Sequence, residues 1–384
     1  MSNVNPLKGV VKKYDWGGQN FIADLLQIDN ESKEPMAEYW MGVHPQGISY
    51  VENSKGESSP LNSIVDLPFL FKVLDVKDML SIQVHPSKKD AILEYESENE
   101  RGIALNASNR NYKDANHKPE LMVALSEFWL LHGFKERSLL LKTLSNTPEL
   151  SFLIPVFEND GYAELYKKVM EMPQQEVDVH LRPLIERILV LYKAGKLSKD
   201  TPDFWAARAF ETFSKDGSID RGIFSIYFFN LLGLKKGEAI FQDAGVPHAY
   251  LEGQNVEIMA NSDNVLRGGL TNKHIDVKEL LKHVKFEAVI PEIRKATDSL
   301  CWFDVPVDDF RLGQLKLNTG QQASVSLQNP SLILLVEGVA EVIGADGIFL
   351  KKGSPAVFTM GDTVTLKGLE NTLIFIAQQG IHNR

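Results

Sequence analysis

From residue 1 to about 135, short apolar runs alternate with Gly, Pro, Asn and Ser punctuation, the pattern of strands in a sandwich or barrel. Phe69–Asp75 and Met122–Leu125 read as strands, and the polar stretch Lys88–Glu100 between them as a helix. Between 136 and 232 the period changes. Leu181, Leu184, Ile185, Ile188, Leu189 and Tyr192 recur at helical spacing on one face, with Pro183 best accommodated in the first turn of that helix. Phe204–Phe213 is a second helical run, and these apolar stripes read as core rather than as a cofactor surface. Turn signals return after Gly233, and Gly237-Glu-Ala-Ile-Phe leads as a strand toward His248. From 300 to 384, Leu332–Val336, Ala340–Ile343, Ala356–Phe358 and Thr372–Ala377 alternate with Gly-containing turns at roughly 8–12-residue spacing. This predicts a further β-barrel. Its only histidine is His382, almost at the terminus, so a structural role is expected of it.

With 384 residues, 43% of them hydrophobic, the chain can bury a large core and divide into two or three domains. The single cysteine, Cys301, excludes an intrachain disulfide and suits a reducing compartment. Met1–Lys8 has no secretory pattern, and no segment approaches the ~18 consecutive apolar residues of a membrane span. We therefore expect a cytoplasmic protein, and a monomer. The formal charge of −10 argues against nucleic acid as a partner. An anionic substrate would need a local cationic pocket, for which Arg267, Lys118 and Lys273 are the obvious supply.

The densest chemistry lies in Leu80-Ser-Ile-Gln-Val-His-Pro86. Residues two apart on a strand share a face, so Gln83 and His85 would present an amide oxygen and an imidazole side by side. Glu120 ends Asp114-Ala-Asn-His-Lys-Pro-Glu120, and His248 sits in Ala244–Gly253. One amide, one carboxylate and two imidazoles make a mixed set suited to zinc, with a position open for substrate or water. Singly, each has an ordinary explanation as a hydrogen-bonded strand residue, a structural histidine or a turn side chain. Val256–Lys273 adds Glu257, Asp263, Arg267 and Lys273 among small turn formers. The paired Gly268 and Gly269 there suggest backbone bends or close approach to something bound.

Four motifs carry a family resemblance: Tyr14–Gly17 with Ala37–Gly42, Ser81–Pro86, Asn116–Glu120, and the long run Gly245–Lys273. In this order they resemble the type I phosphomannose (mannose-6-phosphate) isomerases. The resemblance implies a mainly β fold with a helical insertion. A cupin-type jelly roll would carry the catalytic site in residues 1–135 and 233–299. An α-helical domain would occupy 136–232, and a second cupin-like barrel 300–384. It implies one Zn2+ per chain on Gln83, His85, Glu120 and His248. The reaction would interconvert mannose 6-phosphate and fructose 6-phosphate through an enediol(ate), in mannose metabolism and GDP-mannose biosynthesis.

The family's catalytic arginine carries over to Arg267. We assign it oxyanion stabilisation, since a guanidinium is a poor general base. For the proton shuttle, Lys118 is preferred over Glu257, with His117 a third candidate. Trp16, Glu38, Ser81, Tyr250, Asp263 and Lys273 are implied substrate contacts; placing Ser81 and Lys273 on the phosphate is our own assignment. Gln242 departs from the family, which has an apolar residue there, and leaves that strand's packing open. Two other classes remain at this point. A metal-binding cupin could sense sugar phosphate without turnover, and an iron cupin dioxygenase would consume oxygen.

Overall fold

The computed structural model describes residues 4–380 apart from 53–55, 215–216, 328–329, 345–346 and 360, so His382 lies outside the described residues. Strand outweighs helix, 34% against 28%, which makes the fold mainly β. Nine strands shape the site: β1 (Glu38–Gly42), β2 (Phe69–Val76), β3 (Gln83–Val84), β4 (Glu120–Ala124), β5 (Phe128–Phe134), β6 (Phe229–Leu234), β7 (Glu238–Gln242), β8 (His248–Ala260) and β9 (Leu266–Arg267). All belong to one eleven-stranded sheet.

The long strand β8 joins the two halves of that sheet. Its second half pairs antiparallel with β2 and β4, placing Glu257 opposite both Lys72 and Met122, and Met259 opposite Glu120. Its first half pairs with β5 and β3, placing His248 opposite both His132 and Gln83. The register breaks between Tyr250 and Glu252. A break of this kind bends a strand and raises its twist. Gly253, at φ +128°, makes the bend possible, because a Cβ there would lie 2.5 Å from the Glu127 carbonyl oxygen. Register sets Glu120 and His248 near opposite ends of β8, yet their ligand atoms and that of His85 lie within 4.8 Å of one another, so the sheet curls far enough to unite them.

Side-chain alternation divides β2 between two environments. Phe69, Phe71 and Val73 pack with Leu121, Val123, Val256 and Ile258 against Leu312, Leu332, Leu334 and Phe375 of the C-terminal strands. On the opposite face Leu70 and Leu74 flank Lys72, which is 5% exposed. A lysine in a strand buried on both faces is costly unless paired. Its partners are carboxylates of the site.

Between β5 and β6 run α1 (Arg137–Asn146), α2 (Ile154–Glu171), α3 (Gln174–Lys193), α4 (Pro202–Phe213) and α5 (Gly222–Phe228). Their buried face, including Leu181, Leu184, Ile185 and Ile188, forms one cluster with Leu131, Phe134, Ala249 and Leu251 of the sheet. The helices therefore lie directly on the wall that carries the site. Helices Lys88–Glu100 and Pro202–Phe213 occupy the segments expected to be helical. Pro183 departs from expectation, standing inside α3 rather than in its first turn, because the helix already begins at Gln174. Its exposed position leaves the carbonyl it strands, that of Val179, on the solvent side where water can satisfy it.

In the C-terminal region, Arg311–Leu317, Ser331–Glu337, Ala356–Phe358 and Thr372–Gln378 form a sheet that also takes in Val4–Lys8, with Val4 opposite Phe358. A separate four-stranded sheet includes Gln322–Leu327 and Val339–Ile343. Leu315, Ile333 and Ile374 of the first pack with Val325, Val342 and Leu366 of the second.

Candidate metal centre and substrate cleft

His85, Glu120 and His248 form a buried group whose ligand atoms lie within 4.8 Å of one another. Backbone carbonyls fix both rings. Nδ1 of His85 is 2.8 Å from the Asn264 oxygen, and Nδ1 of His248 is 3.0 Å from the Val246 oxygen. A carbonyl only accepts, so each Nδ1 carries the proton and each Nε2 turns a lone pair inward. Those Nε2 atoms stand 3.5 and 3.4 Å from the two Glu120 oxygens. Nε2 of His85 is buried without a hydrogen-bond partner. Burial lowers the His85 pKa to about 4, keeping the ring neutral at physiological pH. Two lone pairs and a carboxylate converging without a proton between them fit a divalent cation. Burial opposes ionisation of Glu120, but the Lys118 ammonium beside it helps hold its carboxyl well below the usual range.

Gln83 enters the same neighbourhood through its register opposite His248 on one side and Arg267 on the other. It lines a small inner cavity of about 60 Å3 with Glu38, Lys72, Lys118, Glu120, His248, Tyr250 and Glu257. The polar groups there are interlocked. Lys72 Nζ lies 2.5 Å from Glu257 Oε1 and 4.0 Å from Glu38 Oε1. The Tyr250 hydroxyl donates to Glu257 Oε2 at 2.8 Å, and Lys118 Nζ is 3.1 Å from Glu120 Oε1. Trp40 Nε1 donates to Glu38. Burial disfavours the Lys72 ammonium, yet Glu257 and Glu38 push its pKa above the ordinary lysine value. Burial raises the Glu257 pKa, and Lys72 only partly offsets it.

Beside this chamber opens a cleft of about 530 Å3, whose lining includes Trp16, Ser81, Gln83, Arg267, Thr271 and Lys273. Gln83 borders both spaces. Burial lowers the pKa of Arg267; burial and then Arg267 lower that of Lys273. Two like charges sharing one wall suit an anion. Thr212 and Phe213 of α4 complete that side.

Not every candidate gathers here. Asp263 accepts from Gln46 Nε2 at 2.7 Å, stands 3.5 Å from His44 Nε2, and is not among the residues lining either space. His117 turns to Asp309, 2.8 Å away, and lines neither space. Gly268 and Gly269 do meet a close approach, but to the chain itself. A Cβ on Gly268 would meet the Tyr166 hydroxyl at 2.6 Å, and one on Gly269 the Gly222 Cα at 2.4 Å. Gln242 is fully buried, and its Oε1 takes a hydrogen bond from His132 Nδ1 at 2.7 Å, which accounts for the amide oxygen at a position where the family has an apolar residue.

Sequence reasoning missed Lys72. The available signal was a lone cation at the centre of Phe69-Leu-Phe-Lys-Val-Leu74, a run too apolar to be half-exposed.

Residues 4–137 match the family model described as phosphomannose isomerase type I, catalytic domain. Mannose-6-phosphate isomerase of Escherichia coli (strain K12) is 35% identical, the alignment covering 93% of this chain and 95% of that protein. The Homo sapiens mannose-6-phosphate isomerase is 32% identical over 97% of this chain and 98% of its own length. The crystal structure of mannose 6-phosphate isomerase from Salmonella typhimurium bound to substrate (F6P) and zinc superposes with a TM-score of 0.87. It is 31% identical and covers 99% of this chain and 100% of that one. Sequence identity along nearly the whole length and the superposed fold agree: this chain belongs to the mannose-6-phosphate isomerase family.

Proposed function

We propose that this chain is a zinc-dependent aldose–ketose isomerase interconverting mannose 6-phosphate and fructose 6-phosphate through an enediol(ate). The observation that carries the reading is the buried His85–Glu120–His248 group opening, across Gln83, onto a cleft lined by Arg267 and Lys273. His85, Glu120 and His248 would hold the ion, with the Gln83 amide oxygen as a fourth ligand. Zinc bound there supplies a redox-inert Lewis acid that stabilises negative charge developing on substrate oxygen.

The chain's own residues supply the rest. Arg267 stabilises the oxyanion from the cleft wall. Lys118 and Glu257 both line the inner cavity, and either can move the proton between adjacent carbons. The raised pKa of Glu257 brings it nearer the working range of a general base. Lys118 is the alternative donor–acceptor, ion-paired with Glu120. Trp16 and Tyr250 offer faces to the sugar and Glu38 faces it from the inner cavity, whereas Asp263, held by Gln46 and His44 outside both spaces, would reach a sugar hydroxyl only by leaving those partners. Ser81 and Lys273 hold the phosphate.

The curled sheet and the C-terminal pair of sheets are read as cupin-type jelly rolls, at 1–135 with 233–299 and at 300–384, with helices of 136–232 between. A monomeric, cytoplasmic enzyme acting on a phosphorylated hexose suits the composition. A metal-binding sensor without turnover is not favoured, because it has no need of Lys72, Lys118, Glu257 and Arg267 around its ion. Metal analysis combined with a coupled assay for fructose 6-phosphate formed from mannose 6-phosphate tests the proposal. Zinc with rapid isomerisation supports it. Zinc without turnover favours a sensor, and iron with oxygen uptake an oxygenase.

A further inference from the structure

Asp220 lies on the connection from α4 to α5, outside every motif of the sequence, and lines neither the cleft nor the inner cavity. Its carboxylate nevertheless closes on the loop that follows Arg267. Oδ1 accepts the backbone N–H of Leu270 at 2.8 Å and that of Gly222 at 2.7 Å, and Oδ2 accepts that of Thr271 at 3.2 Å. The backbone there needs holding, since Leu270 sits at φ +53°, a region a leucine does not enter unaided. Two glycines let the segments meet. A Cβ on Gly222 would lie 2.6 Å from the Leu270 nitrogen, and Gly269 is equally close to Gly222.

The clamp is anchored behind. The Ile219 N–H donates to Asp178 Oδ1 at 2.7 Å, and Gln174 Nε2 donates to the Ile219 oxygen at 2.9 Å, both from α3. In front, Thr271 Oγ1 accepts the Lys273 N–H at 3.1 Å. Thr271, Asn272 and Lys273 then line the cleft. Arg267 is held separately, by its register with Gln83. Burial raises the Asp220 pKa while the three amide donors favour its charged form.

We propose that Asp220 is a positioning residue for the phosphate end of the substrate, fastening the Leu270–Lys273 loop to the helical region so that Lys273 is preorganised for an anion. The proposal rests on the isomerase reading and on Lys273 as the phosphate contact. It predicts a binding effect separable from chemistry, because Arg267 and the metal ligands are fixed by other elements.

The test compares wild type, D220A and D220N for KM and kcat with mannose 6-phosphate, zinc content, competitive inhibition by inorganic phosphate, and amide hydrogen exchange across 269–273. In D220A, KM and the phosphate inhibition constant should both rise on the order of tenfold. Zinc content and kcat should stay within about twofold of wild type. D220N, which keeps one acceptor oxygen, should fall between, with faster exchange at Leu270 and Thr271. Unchanged KM and phosphate inhibition overturn the proposal, as does loss of zinc or kcat with KM unmoved. If D220A does not fold, D220N alone decides by the same criteria. Should wild type fail to isomerise mannose 6-phosphate, the isomerase reading fails. The clamp is then judged by calorimetric phosphate binding: weakened binding in D220N supports it and equal binding overturns it.

Discussion

Lys72 and Glu257 face each other as direct cross-strand partners, and their side chains meet at 2.5 Å inside the sheet that carries the metal centre. Neither charge has an alternative in water, because both residues are buried. Removing one partner of such a pair leaves an uncompensated charge, typically costing about 3–5 kcal/mol, whereas replacing both is often close to neutral. Lys72→Met should therefore unfold at markedly lower denaturant. The double variant K72M/E257Q should recover most of that stability. Activity should not recover with it, since the ammonium that offsets Glu38, Glu120 and Glu257 is gone. A kcat reduced by about 100-fold or more is expected in both variants. Recovery of kcat in the double variant would contradict a catalytic part for this pair.

Glu120 is the only carboxylate among the three ligating side chains, and both its oxygens face imidazole nitrogens. Glu120→Gln removes the charge while keeping the shape. Zinc content after dialysis against a weak chelator should fall well below that of wild type, and turnover with it. Because an ion bound only to the native state stabilises by about 4 kcal/mol at a thousandfold excess over Kd, chelation should also lower the melting temperature of wild type. Gln83→Leu should weaken zinc retention less than Glu120→Gln does. Equal zinc retention in Gln83→Leu and wild type would remove Gln83 from the ligand set.

Much of this centre is legible in the sequence, for a definite reason. Gln83, His85, Glu120 and His248 stand out because polar residues interrupt strands in short dense motifs, alternation alone puts Gln83 and His85 on one face, and three of the four meet as one buried group. Lys72 gives a weaker signal, since its partners Glu38 and Glu257 lie far off in sequence and meet it only through the strand order. His117 shows the converse. It adjoins Lys118 in a promising motif, yet the turn points it at Asp309, a residue nearly two hundred positions away. Pro183 falls inside the helix rather than at its start because the true start, Gln174, has no side-chain cap to mark it in the sequence. Local pattern singles out candidate ligands, whereas partners that depend on sheet register need the fold.

Lys273 and Arg267 share the cleft wall, and each is desolvated there. Lys273→Ala should raise KM for mannose 6-phosphate while zinc content and kcat change little, the signature of lost uniform binding. Arg267→Ala should instead lower kcat, by about 100-fold or more if it stabilises the oxyanion. Arg267→Lys should rescue little of this, because a point charge does not replace the planar fork. Steady-state kinetics on the three variants, with zinc measured in each, separates the two roles. A KM effect alone in Arg267→Ala would move that residue to substrate binding.

Lys135 offers a prediction about stability rather than catalysis. It is 8% exposed, and its ammonium donates to the carbonyls of Tyr227, at 2.8 Å, and Phe229, where α5 passes into β6. Burial lowers its pKa from 10.5 to about 7. The unfolded chain therefore holds this proton over a range in which the native state has released it. Stability should rise with pH between about 7 and 10.5 and be indifferent to this group below 7, at up to ~1.4 kcal/mol per pH unit. Lys135→Met deletes the titration while keeping the length of the stem. Denaturant unfolding of both proteins at pH 6.5, 8 and 9.5 should show the wild type gaining on the variant as pH rises. Parallel profiles would mean that the two carbonyls and the surrounding dipoles keep Lys135 charged in the native state, despite its burial.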